Sequence, residues 1–157
     1  MMKPIPLPRN KVAIVDDEDF EKMSKYIWFT SKGRHTYYAI RTNFNPPPKF
    51  FRMHREILNA PPNSIVDHIN GLGLNNTRDN LRQCTTGENR CNQRKYSDNT
   101  SGFKGVTFNK EMKKFRALIR YKRKLYHLGY FKSAREAANV YDKKAKELHG
   151  KFARTNF

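Results

Sequence analysis

Apolar positions along the chain come in short bursts whose period changes from one segment to the next. VAIV at residues 12–15 is compact enough for a buried strand, and the acidic run DDEDFE at 16–21 predicts a short capped helix leading to the apolar YIWF. The β-type residues at 36–41, a proline turn at 46–48 and KFFRM at 49–53 predict a hairpin. Residues 54–59 predict a helical turn closed by Pro61 and Pro62. An apolar pair then leads into VDH, and a loop over 69–79 rich in Gly and Asn follows. A short strand over 80–84 precedes a helix starting near Thr85, which has capping-box spacing to Glu88.

Past the small polar run SDNTSG at 97–102, the segments FKGVTF, KFRALIRY and KLYHLGYF read as three strands separated by charged turns. Ser133 caps a helix with Glu136 three residues on, and Gly150 stops it. Ala137, Ala138, Val140, Tyr141, Ala145 and Leu148 form its apolar stripe. The fold class expected is α+β. Antiparallel strands and a strand-loop-strand-helix segment occupy residues 1–96, a linker 97–102, and a three-stranded antiparallel sheet packed on one helix 103–157.

The chain's 157 residues suffice for two small domains. Mean hydropathy is only −0.91, but 11 Phe, 8 Tyr and one Trp can close two small cores. Charge sharpens the picture: 32 Lys and Arg face 14 Asp and Glu, a net +18 that attracts polyanions. The excess is concentrated late, with 18 basic and 5 acidic residues after position 93. An anionic membrane would call for a basic amphipathic helix or a long apolar run, and neither is present, so nucleic acid is the expected partner, with double-stranded DNA implied by the resemblances below. No signal peptide or transmembrane span is expected, and a reduced cytoplasmic setting fits two cysteines, Cys84 and Cys91, that form no CxxC pair.

Residues 65–93 carry the candidate chemistry. Phosphodiester hydrolysis needs a base for water and a cation for the charge that builds on phosphate. His68 can take a proton near neutral pH. Asp67 can hold a hard divalent ion, as can an amide carbonyl such as that of Asn89, and this oxygen set favours Mg2+ or Mn2+ over zinc. Adjacent strand residues point to opposite faces, so irregular backbone is expected between Asp67 and His68 if both flank one phosphate. The competing reading is an Asp-His turn cap followed by ordinary loop formers. His54, beside apolar residues, reads as structural, with a site role as the alternative.

VDHINGLGLNNTRDNLRQCTTGENRCNQ resembles the H-N-H motif of the ββα-metal nucleases, especially phage and intron-encoded homing endonucleases, and MHREIL and VDDEDFEKMSKYIW resemble their leader. The resemblance implies His68 as general base, Asn80 as the central residue ordering the loop and the histidine, and Asp67 and Asn89 as metal ligands, with Asn92 replacing Asn89 if the helix is rotated. The commonest version carries histidine where this chain has Asn89, which favours one magnesium-like ion. Products with 5′-phosphate and 3′-hydroxyl ends are implied.

Residues 99–157, through GV, A-x-I-R, LGYF, S-A-x-E-A-A, YD and the closing N-F, are similar to the plant APETALA2/ethylene-response-factor DNA-binding domain. Alternation sends Lys114, Arg116, Leu118 and Arg120 to one face of the middle strand and Phe115, Ala117, Ile119 and Tyr121 to the other. Lys104, Thr107, Lys114, Arg116, Arg120 and His127 are then DNA-contact candidates, and Arg78, Arg82, Arg90 and Arg94 candidate phosphate clamps near the histidine. The expectation is a metal-dependent DNA endonuclease, a monomer or weak dimer with no obligate protein partner, nicking or cutting at a preferred site. A non-catalytic DNA-binding regulator is the rival, and a structured-RNA binder a weaker third reading.

Overall fold

The computed structural model describes residues 1–43 and 46–157 and divides into two compact units, Met1–Thr85 and Thr86–Phe157. Both mix helix with small antiparallel sheets, as an α+β chain should. The division falls earlier than the expected linker. SDNTSG lies inside the second unit, where Asn99 Nδ2 donates to Phe103 O at 2.9 Å and Ser101 Oγ to Val106 O at 2.8 Å. Short polar side chains that close turns on their own backbone make such a run a folded corner.

The first unit opens with a hairpin that the proline-rich start had hidden. β1 (Met2–Leu7) pairs with β2 (Lys11–Asp16) in register from Met2↔Asp16 to Leu7↔Lys11. Pro4 and Pro6 are tolerated because the two-stranded sheet leaves one side of β1 unpaired, and residues two apart turn their backbone the same way. α1 (Asp17–Ser24) follows with three acids in its first turn, where the helix dipole favours them. β3 (Phe29–Lys32), β4 (Tyr37–Asn43) and β5 (Lys49–Arg52) form a sheet in that order, and α2 (Met53–Ile57) follows directly.

Ala13, Val15, Met23, Trp28, Met53 and Ile57 meet in one core, with Trp28 Nε1 donating to Met23 O at 2.7 Å. Against this core stands a ribbon of β6 (Ile65–His68) and β7 (Leu81–Cys84), preceded by a 3-10 turn at Arg78–Asn80.

In the second unit α3 (Thr86–Cys91) precedes β8 (Val106–Asn109), β9 (Lys114–Tyr121) and β10 (Lys124–Phe131), an antiparallel sheet with β9 central. α4 (Ala134–His149) lies across it, its N-terminus capped by Ser133 Oγ accepting from Glu136 N at 3.2 Å. The buried helix face is Ala137, Ala138, Tyr141, Asp142 and Ala145. Val140, expected in the stripe, is 36% exposed, and Asp142 takes a buried place instead. Its carboxylate accepts from the backbone N–H groups of Asn156 and Phe157 and from Asn156 Nδ2, which ties down the chain end. Gly105, at φ 75°, lies so close to Tyr141 that a Cβ there would sit 2.0 Å from the ring. Only glycine combines that backbone conformation with that approach.

Candidate active site

His68 ends β6, and the pairing with β7 is regular through it: Asp67 faces Arg82 and His68 faces Leu81. The expected irregularity between Asp67 and His68 is therefore absent. Regular pairing is retained because both side chains find buried partners: Asp67 is 7% exposed and His68 5%.

Each partner is specific. Arg82 directs both Nε, at 3.0 Å, and Nη2, at 2.8 Å, to Oδ2 of Asp67, forming a buried ion pair across the ribbon. His68 Nε2 lies 3.2 Å from Oδ1 of Asn76. Asn76 Nδ2 donates to Leu74 O at 3.2 Å, which orients the amide with its oxygen toward the histidine. An amide oxygen only accepts, so Nε2 carries the proton and the lone pair resides on Nδ1. Burial pushes the imidazole below its ordinary pKa, opposed by the Asn76 bond and the Asp67 charge.

The loop holding Asn76 is built by Asn80. Its Oδ1 accepts from Asn70 N at 3.0 Å and its Nδ2 donates to Asn75 O at 2.7 Å, so one buried amide spans the loop. Strand β2 closes the other side: Ile14 N donates to Leu74 O at 2.8 Å and Asn76 N to Ile14 O at 2.7 Å. Asn80 thus orders the loop, and Asn76 contacts the histidine. Asn76, fully buried, went unrecognised in the sequence; its only signal was its place in an Asn-Asn pair inside a glycine-rich loop.

Two aromatic neighbours were also unforeseen as a group. The His54 ring, 6% exposed, stands edge-on to His68 at 4.9 Å between centroids and 79° between planes. Tyr38 lies 5.7 Å from His54 and 5.8 Å from His68. Burial, then the charges of His68, Arg52 and Arg55, pushes the His54 imidazole down to about 3.

Arg78 does not join this group as a clamp with an unengaged head. Its Nε and Nη2 form a fork on Asp19, both at 2.8 Å, and its backbone N–H donates to Asp16 Oδ2 at 2.7 Å. The acidic run beside β2 thereby anchors the residue that opens the 3-10 turn before Asn80. Arg90 and Arg94 are exposed in the second unit, and Asn89 and Asn92 also belong to that unit. Among the described residues no three His, Cys, Asp or Glu side chains cluster so as to hold a metal ion.

On the second unit's sheet, register places Thr107, Arg116 and Tyr130 in one row, Leu118 beside His127, and Arg120 beside Leu125. Ala117 and Ile119 are buried on the opposite face, as expected from alternation. Thr107, Lys114, Arg120, His127 and Tyr130 are exposed and Arg116 is half-buried, while the His127 and Tyr130 rings are 4.7 Å apart. Lys104 is absent from this face. Its Nζ donates to Cys91 O, and burial lowers its pKa to about 8. Among the described residues no helix is long and apolar enough to cross a membrane.

No family model matches the chain, and no solved structure matches it. Over 150 residues, 92% of its length, it is 27% identical to a protein of Acanthamoeba polyphaga mimivirus named as an uncharacterized HNH endonuclease, covering 74% of that protein. This is a distant likeness to a protein bearing the H-N-H name. Over 94 residues, 60% of its length, it is 35% identical to protein 3.8 of Escherichia phage T7, covering 77% of that protein. With that identity over more than three quarters of the phage protein, the chain belongs to the family of phage T7 protein 3.8.

Proposed function

We propose that the protein is a metal-dependent DNA endonuclease of the H-N-H type, in which His68 draws the proton from the attacking water. The observation that carries this reading is a buried histidine whose Nε2 lies 3.2 Å from the amide oxygen of Asn76, immediately after a buried aspartate. A base so held is neutral near pH 7 and loses no rotational freedom at the moment of reaction. The distant relative named as an HNH endonuclease and the net charge of +18 support the same reading.

Asp67 would help to hold a magnesium-like ion. Such an ion, when bound, offsets the charge that grows on the phosphate and on the leaving 3′ oxygen. Arg82 holds the Asp67 carboxylate in a fixed orientation. Asn80 maintains the loop on which Asn76 sits. The second unit contributes affinity through Lys114, Arg116, Arg120, His127 and Thr107, in keeping with the resemblance to APETALA2-type domains, and Arg90 and Arg94 add phosphate contacts.

The test is incubation of supercoiled plasmid with the protein and Mg2+, comparing wild type with His68→Ala and Asp67→Ala. Wild type should relax or linearise the plasmid and both variants should bind it without cutting. A wild-type protein that binds tightly and leaves plasmid and phage DNA intact would establish a DNA-binding regulator instead.

A further inference from the structure

We propose that the second unit reads the 5-methyl groups of thymine in the DNA major groove, through an apolar strip of Leu118, Leu125, His127 and Tyr130 set among its arginines. The inference rests on the reading of this sheet as a duplex-binding face and names the chemical group that the face distinguishes.

Strand register builds the strip. Residues directly opposite one another across an antiparallel pair share a face, and here Leu118 faces His127, Arg120 faces Leu125 and Arg116 faces Tyr130. Uninterrupted alternation along β10 would put Tyr130 and His127 on opposite faces, since three positions separate them. A register shift between His127 and Gly129 reverses that, and the two rings come to lie 4.7 Å apart at 53°. Gly129 sits within this irregularity at φ 128°. Such a bulge re-aims the side chains that follow it.

The strip is not spent on the unit's own packing. The cores beneath the sheet take Ala117, Ile119, Tyr126 and Leu128 from β9 and β10, and neither Leu118 nor Leu125 joins them. Leu118 is half-buried, Leu125 is 54% exposed and Tyr130 37%. Apolar surface that faces water gains free energy when something covers it.

Charge selects what that is. After position 93 the chain carries 18 basic and 5 acidic residues, so a second copy presenting the same face meets like charge, and a polyanion is favoured. Among the base edges in the major groove of DNA, the apolar group is the thymine methyl. Spacing agrees with this occupant. Arg116 and Arg120 are four residues apart on β9, roughly 13 Å at about 3.3 Å per residue, which is close to the groove's width of about 12 Å. Arginines at those points reach the groove's walls, while Leu118, midway between them, faces its floor.

Uracil lacks the methyl, which supplies the test. A random-sequence duplex library is enriched on the full-length protein in EDTA, so that no metal-dependent cleavage intervenes, and the enriched pool is reamplified with either dTTP or dUTP. Fluorescence anisotropy then gives Kd for each pool. Wild type should bind the dUTP pool at least about fourfold more weakly, the worth of one buried methyl-sized group. The double variant Leu118→Ser, Leu125→Ser should bind the two pools equally. Arg120→Ala should weaken binding to both pools and keep their ratio.

Equal affinity of wild type for the two pools would overturn the proposal, as would an unchanged ratio in the double variant. If circular dichroism shows the double variant unfolded, Leu125→Ser alone, at the exposed position, should reduce the ratio, and an unchanged ratio there overturns the proposal too. Failure to enrich any duplex would remove the reading of this sheet as a DNA face, and the proposal with it. If wild type self-associates on sedimentation and the double variant does not, the strip's occupant is a second copy of the chain and the proposal falls.

Discussion

Nε2 of His68 and Oδ1 of Asn76 lie 3.2 Å apart, both residues buried and separated by a glycine-rich loop. Eight positions of chain fold back so that an amide oxygen assigns the tautomer of a histidine. Replacing that oxygen by a carboxylate makes the neighbour an anion, which favours the imidazolium. Asn76→Asp should therefore move the acidic limb of the rate-pH profile to higher pH by about one unit or more. Activity at pH 6 should fall relative to pH 8, measured as cleavage rate across the range. In wild type, burial should keep that limb below the ordinary histidine value of 6.5.

The Asp67–Arg82 pair is the second lever. Both members are nearly inaccessible, and both guanidinium contacts converge on one oxygen. Breaking a buried pair from one side costs about 3–5 kcal/mol, whereas removing both members costs less than the sum. Arg82→Ala should lower unfolding free energy on that scale, and Arg82→Lys by less, since a point charge replaces a planar fork. Urea titration followed by the fluorescence of Trp28, the chain's one tryptophan and 2% exposed in the first unit, measures both.

His54 links stability to pH. Its folded value of about 3 lies below the ordinary 6.5, so as pH falls the unfolded chain takes up the proton first. The stability it contributes is present above about pH 6.5 and declines as pH drops toward 3, by at most about 1.4 kcal/mol per pH unit. His54→Phe should flatten the dependence of the urea midpoint on pH between 6.5 and 4.5, read again through Trp28.

Gly105 is tightly packed against the Tyr141 ring in the second unit. A methyl group there meets the Tyr141 ring at 2.0 Å on a backbone with φ 75°. Gly105→Ala should destabilise that unit by about 3 kcal/mol, from overpacking and left-handed strain together. Calorimetry should show a lowered melting transition, and Gly102→Ala, where nothing lies within 4 Å, a smaller change.

On the sheet face, the expected signature is salt dependence. Arg120 is exposed and Arg116 is half-buried, with Thr107 and Tyr130 flanking Arg116. If these arginines neutralise phosphates, Arg116→Ala and Arg120→Ala should each reduce the slope of log affinity against log salt by roughly one. Lys104→Ala should leave the slope unchanged, because that amine faces Cys91 O. Fluorescence anisotropy with duplex DNA from 50 to 300 mM salt decides it.

Much of this was legible from local pattern. Period-two alternation in KFRALIRY marked β9 and its buried face, and the Ser133–Glu136 spacing marked the start of α4, because both are set by neighbours a few residues away. The Asp67, His68 and Asn80 spacing marked a strand, loop and strand for the same reason. Less legible were β1, whose prolines argue against a strand until one edge is known to be unpaired, and Val140 and Asp142, whose burial depends on where the chain end docks.

What the amino-acid order by itself determined was the chemical inventory: a basic chain, a histidine after an aspartate, and amide-rich loop residues at spacings that local hydrogen bonds can use. Which of these side chains meet was decided only by the tertiary structure. Asn76 reached His68 because β2 and Asn80 close the loop, and His54 and Tyr38 reached it because α2 and β4 share a core with the ribbon. Arg78 and Lys104 were drawn to Asp19 and to a backbone carbonyl in the same way. Contacts between distant positions are chosen by burial and by the need to pair each buried polar group, and neither condition exists until the chain has closed around them.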